Sequence, residues 1–267
     1  MLGGRPLSWW IESFGLPFHV SYAPDIRANL LAYKDVFARL YPKGEVRYAG
    51  KASTHPAVFR LAAEAGVGID AASPFELAQA LGNVAGEPYP SLLNKRVLDP
   101  AGLKDTSFDL SAAEQSRAMQ GHNFDGSPMP FVTTSPLIVG AGGLYSTAND
   151  MLRWLGWHLD HFGTANAEMR LLDHATYLDR DGLSPVFGMD EGGMMDALGL
   201  GWVVMKPEGN RPLILHKSGG LQGEFRFVAF AASRGVGVFV SINEFSVGGF
   251  EAMSKAAIEL ITELAPR

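Results

Sequence analysis

The sequence predicts an α+β protein in which a small N-terminal βα region stands beside an antiparallel sheet of about four strands flanked by helices. Three observations predict it. Between Pro24 and Leu81 helical and strand-like patterns alternate, and that alternation implies parallel strands. The last quarter carries four apolar segments separated by short polar or Gly-containing turns, which favour an antiparallel meander. A long amphipathic segment then closes the chain.

The elements follow in order. Residues 25–40 place Ile26, Leu30, Tyr33, Phe37 and Leu40 at helical spacing, after a proline suited to a first turn. Residues 46–50 read as a short strand, and Pro56 opens a helix that Gly66 ends. Residues 68–72 form a second strand, and Ser73-Pro74-Phe75-Glu76 has the form of a capped helix start. The stretch GNVAGEPYP at 82–90 is rich in Gly and Pro and marks a junction between a region 1–81 and a region 91–267. Helices are expected at 91–98 and 147–159, and strands at 201–205, 213–216, 225–231 and 236–243. In the closing helix, 249–264, Phe250, Met253, Ala257, Leu260 and Leu264 should face one way.

Composition narrows the function classes. With 22 Lys and Arg against 28 Asp and Glu, the chain carries a net charge of -6, so it has no electrostatic footprint for nucleic acid or an anionic membrane. It has no cysteine, which removes disulfides, thiolate metal sites and a Cys nucleophile. Its first residues, MLGGRPLSWWIESFGLPF, lack the basic start and apolar run of a signal peptide, so a cytoplasmic location is expected. Among the histidines, His122, His158, His161 and His174 show no clustered ligand spacing, and no metal is expected. Trp154 and Trp157 read as core and rim of an amphipathic helix.

The sharpest signal is His216-Lys217-Ser218-Gly219-Gly220, expected at the end of a strand. The Lys-Ser-Gly triplet resembles the third signature of the serine β-lactamases and penicillin-binding proteins, which implies that Lys217 supplies charge for an anionic ligand, that the Ser218 hydroxyl donates to it and that Gly219 lets it approach the backbone. The segments LILHKSGGLQGEFRFVAFAASRGVGVFVSINEF, GAGGLYSTANDMLRWL and PYPSLLNKRVLDPAGLKDTSF resemble the penicillin-recognising serine hydrolases. Within them the likeness is to the class C-like D-alanyl-D-alanine carboxypeptidase/endopeptidases, over residues 87–267. The resemblance implies a β-lactamase-like fold and a small peptide or β-lactam-like anionic ligand at Lys217, Ser218 and Gly219. It also implies a Ser-x-x-Lys nucleophile, and here the sequence departs from the family. No serine has a lysine three residues later, Ser91 and Lys95 are four apart, and Tyr145-Ser146-Thr147 lacks the Asn of the family's Tyr-x-Asn. No catalytic residue is therefore assigned.

The N-terminal segment LPFHVSYAPDIRANLLAYKDVFARLYPKGEVRYAGKA is similar to the opening of the pyridoxal-phosphate decarboxylases with an alanine-racemase-type barrel, such as the diaminopimelate and ornithine decarboxylases. The similarity covers residues 15–81 and places Lys51 at the cofactor lysine, just after a strand. A (β/α) barrel needs eight strands, and about two are present here, so the barrel is partial. Three readings stay open: a serine-hydrolase-like protein without its nucleophile, a fragment of a pyridoxal-phosphate decarboxylase, and an inert binding or scaffold domain. The sequence is chimera-like, since its two resemblances meet near residues 81–87.

Overall fold

The computed structural model describes residues 4–17, 20–131, 140, 142–186 and 189–267. They fall into two compact units, one made of Met1–Lys95 and Ser135–Gly142, the other of Arg96–Thr134 and Gly143–Arg267.

The first unit opens with helices α1 (Leu7–Phe14) and α2 (Ala23–Leu40). Strands β1 (Arg47–Ala49) and β2 (Gly68–Asp70) pair in parallel around helix α3 (Pro56–Glu64), the geometry that the alternating pattern predicts. Helix α4 (Pro74–Ala85) starts at Ser73, whose Oγ accepts the Glu76 N–H at 3.2 Å and donates to Oε1 of Glu76 at 3.1 Å. Leu30, Ala62, Ala65 and Val67 form a small core, with Ile26, Val46, Tyr48, Leu61 and Ile69 packed on it.

Two expectations need correction in this unit. The apolar face of α2 is buried at Leu30 and half-buried at Ile26, but Tyr33, Phe37 and Leu40 are exposed. An 18-residue helix is about 27 Å long, whereas a three-residue strand spans about 10 Å. Two such strands cannot cover the whole helix. The junction at 82–90 also begins inside a helix. Gly82 lies within α4 because the chain returns across it, and a Cβ there would stand 2.9 Å from the Glu87 carbonyl oxygen. The helix stops at Gly86, whose φ of 72° suits a glycine, and α5 (Tyr89–Leu93) follows.

The second unit holds helices α6 (Ala112–Gln115), α7 (Ala148–Leu159) and α8 (Ala167–His174), then a six-stranded antiparallel sheet, then helix α9 (Val247–Leu264). The strands run in sequence order: β3 (Leu178–Asp179), β4 (Ala197–Leu198), β5 (Val203–Met205), β6 (Ile214–Leu221), β7 (Glu224–Ala231) and β8 (Val236–Ile242). The sheet thus has six strands rather than about four. The additional pair, β3 and β4, has two residues per strand, too short for any alternating pattern to reveal.

Each face of this sheet packs on a helix. Ile214, Phe227, Ala229 and Ala231 meet Phe250, Met253, Ala257, Ile258 and Ile261 of α9. On the other face Leu215, Phe230 and Trp202 meet Leu155 of α7. The buried stripe of α9 passes through Ile258 and Ile261, while Leu260 and Leu264 are exposed, contrary to the expectation.

Candidate functional site

The Lys-Ser-Gly triplet lies inside a strand. β6 continues to Leu221, because Lys217, Ser218 and Gly219 pair with Val228, Phe227 and Arg226 of β7. On its other side β6 pairs with β5 only through Ile214, Leu215 and His216. From Lys217 onward, the β5 side of the strand therefore has no strand partner among the described residues. Lys217 is exposed and its Nζ donates to the Ser218 carbonyl at 3.0 Å. Ser218 is half-buried and Gly219 is exposed, and a Cβ built on Gly219 would meet nothing within 4 Å. The space over the backbone is open. Since Gly219 stands opposite Arg226, the two share the sheet face that also carries Lys217. Arg226 is ion-paired with Glu224. The sequence does not single out this second cation, because only the strand register brings it beside the triplet.

His216, one residue earlier, points into the core on the α9 side and packs against Phe227 at 5.1 Å. Burial pushes its imidazole down to about 4, and the Lys217 charge adds to the shift. His216 is neutral at pH 7.

Neither sequence-level substitute for the nucleophile becomes one in space. The Ser91 hydroxyl donates to Glu87 Oε2 at 3.0 Å, while Lys95 Nζ meets Glu87 Oε1 at 3.5 Å. A carboxylate thus stands between hydroxyl and amine, in place of the direct contact through which a lysine amine would take the serine's proton. Tyr145 lies in a backbone bridge with Ser107 that ties the chain down just ahead of α7.

Lys51 occupies a 3-10 turn, Gly50–Ala52, directly after β1, and it is exposed. The buried carboxylate nearby, Glu76, is committed to the Ala72 N–H at 2.8 Å and to the Ser73 hydroxyl at 3.1 Å. Lys51 is thus an exposed lysine, and the neighbouring acid already serves a helix cap.

The histidine spacing conceals a cluster. His158 of α7 and Asp173 and His174 of α8 bring one ligand atom each within 4.8 Å of one another. His158 Nδ1 lies 2.9 Å from His174 Nε2 and 3.5 Å from Asp173 Oδ2. Burial lowers His158 to about 3, helped by the charges of His174 and Arg170, so its contact with Asp173 is not an ion pair at neutral pH. Burial likewise lowers His174 and raises Asp173, while the Trp202 indole, donating to Asp173 Oδ2 at 2.8 Å, opposes the rise. The sequence shows residues 158 and 173–174 too far apart to read as one group.

Comparison with known proteins places these features. The Beta-lactamase family profile matches residues 73–262, more than half of the chain. The chain belongs to the beta-lactamase family. The pyridoxal-binding-domain profile of the pyridoxal-dependent decarboxylases matches residues 24–115, overlapping the start of the beta-lactamase match. Among curated beta-lactamase relatives, the D-alanyl-D-alanine-carboxypeptidase/endopeptidase AmpH of Escherichia coli K12 is 33% identical over 259 residues, covering 96% of this chain and 64% of AmpH. The chain thus spans less than two thirds of that relative. Diaminopimelate decarboxylase of Methanothermobacter thermautotrophicus is 37% identical over 81 residues, 30% of this chain and 19% of that protein. Among solved structures, a beta-lactamase/D-alanine carboxypeptidase from Yersinia pestis, complexed with citrate, superposes with a TM-score of 0.60 at 30% identity, covering 82% of this chain and 56% of that one. A Pseudomonas syringae counterpart superposes with a TM-score of 0.53 at 16% identity over 70% of this chain and 57% of that one, which speaks for the fold alone. The beta-lactamase family membership and these superpositions give the chain a hydrolase-like fold.

Proposed function

We propose that this chain binds the anionic end of a D-alanyl-type peptide at the part of β6 that extends past β5 and does not acylate. The carrying observation is that β6 extends past β5, with Lys217 exposed and nothing within 4 Å of a Cβ built on Gly219. A peptide carboxylate can approach the backbone over Gly219 and meet the exposed Lys217, with the Ser218 hydroxyl beside it. The activity printed in the AmpH name, carboxypeptidase and endopeptidase, supports this peptide class. The lack of any Ser-x-x-Lys in the 267 residues supports binding without a covalent step.

The test has two arms. Incubation with a fluorescent penicillin followed by intact mass should give no stoichiometric adduct, and such an adduct on any serine would refute the non-acylating half. Calorimetry with a D-alanyl-D-alanine peptide should show weak binding that Lys217→Ala reduces roughly tenfold and Ser218→Ala reduces less. Binding that both variants leave unchanged would assign the ligand to another surface.

A further inference from the structure

We propose that His158, Asp173 and His174 form a site for one transition-metal ion of the Zn2+ type. The argument begins with donor chemistry. Two imidazoles and one carboxylate are a borderline set that suits Zn2+, Co2+, Ni2+ or Cu2+, whereas Ca2+ and Mg2+ prefer a shell of oxygens. Three protein donors with a fourth position left to water is also the make-up of an open zinc site. Arg170, fixed on the carbonyls of Gly163 and Ala165 and lying 5.3 Å over the Trp157 ring, brings a positive charge to the same helix, so the imidazole and carboxylate donors must hold the ion against that repulsion.

Geometry adds to this. Two donors on a tetrahedral zinc, with bonds of about 2.0–2.1 Å, stand about 3.3–3.4 Å apart. His158 Nδ1 and Asp173 Oδ2 are already 3.5 Å apart. The 2.9 Å between His158 Nδ1 and His174 Nε2 is a hydrogen bond that the ion would replace, and it needs to open by about 0.4 Å. The half-buried His174 can supply that movement. His158 cannot, because Trp154, Trp157, Trp202 and Phe230 hold its ring at centroid distances of 4.6, 4.8, 5.1 and 4.8 Å. A locked first ligand with a movable second favours capture of an ion from solvent. The carboxylate is oriented as well, by the Trp202 indole N–H at 2.8 Å, in the way that outer hydrogen bonds fix metal ligands.

The experiment uses the full chain without an affinity tag, stripped with a chelator and dialysed. Zn2+ is titrated against a chromophoric competitor, and Co2+ is followed by visible absorbance. The expected result is one ion per chain with micromolar or tighter affinity, together with the intense d–d bands of a four-coordinate cobalt. His174→Ala and Asp173→Asn should each weaken binding at least tenfold, and Trp202→Phe roughly 10–100-fold through the lost orienting bond. His55→Ala, in the other unit, should leave the affinity unchanged. Both ligand variants replace half-buried side chains, and circular dichroism reports whether each is folded. Absence of binding below millimolar Zn2+ overturns the proposal, as does stoichiometric binding that His174→Ala and Asp173→Asn leave intact.

Discussion

Neither ring nitrogen of His216 meets a hydrogen-bonding group among the described residues, although the side chain is only 1% exposed. A buried polar atom without a partner costs about 1–3 kcal/mol. The same environment makes the residue sensitive to acid. Its folded pKa of about 4 lies below the unfolded value near 6.5, so the unfolded chain binds the extra proton between those values. The stability that depends on neutral His216 is therefore complete above about pH 6.5 and is lost as pH falls towards 4. His216→Leu removes both effects. At pH 7 the variant should be as stable as the parent or more so, and by pH 4.5 the difference should have widened by about 2–3 kcal/mol in its favour. Urea midpoints of both proteins from pH 7 to 4.5 check this. A difference that does not change with pH would show that His216 takes up its proton as readily in the folded protein as in the unfolded chain.

At the scale of elements, the start of α7 shows how a helix is fixed to a loop. Thr147 caps the helix by accepting the Asp150 N–H at 3.2 Å. Asp150, 0% exposed, accepts the Asp105 N–H at 2.8 Å, the Thr106 hydroxyl at 2.9 Å and Arg153 at 2.6 Å. One carboxylate thus holds the loop at 105–106 against the first turn of α7, the helix that also carries His158. Asp150→Ala strands these donors and should lower stability by about 2–4 kcal/mol, whereas Thr147→Ala should cost about 1 kcal/mol. Chemical denaturation measures both. A loss below about 1 kcal/mol for Asp150→Ala would mean that water replaces the carboxylate at little cost. The edge of β6 follows a different logic. Its strand outlasts β5 because its register with β7 continues to Leu221, while β5 pairs with it only through Ile214, Leu215 and His216.

The whole molecule joins segments similar to two families, each without part of what its relatives' sequence patterns supply. This bears most directly on Lys51. In a full barrel, contacts from many strands would orient the cofactor, and β1 and β2 supply an exposed lysine at the end of one strand. Imine formation with pyridoxal phosphate should therefore spread over several lysines in proportion to their exposure. Borohydride trapping with sub-stoichiometric pyridoxal phosphate, then peptide mapping, reads the distribution. If Lys51 took nearly all the label and Lys51→Ala abolished the aldimine absorbance, a formed pocket would have to be accepted. Helices α1 and α2 carry exposed apolar side chains, among them Phe14, Leu31, Tyr33 and Leu40. No helix among the described residues is long and apolar enough to cross a membrane.

Local chemistry was enough to read the parallel βα grammar, the cap at Ser73, the antiparallel meander and the Lys217-Ser218-Gly219 triplet as a motif, though not its place inside a strand. Each depends on neighbours in the chain: a period of two or three to four, a capping hydroxyl, a triplet. The absence of Ser-x-x-Lys is equally a property of the sequence alone. What depends on distant partners was hidden. The extension of β6 comes from its register with β7, the shift of the α9 stripe to Ile258 and Ile261 comes from the sheet it covers, and β3 and β4 exist only as a pairing. The meeting of His158 with Asp173 and His174 belongs to the same class. Side chains of two helices meet there, and spacing along a chain carries no information about distance between helices until packing has set it.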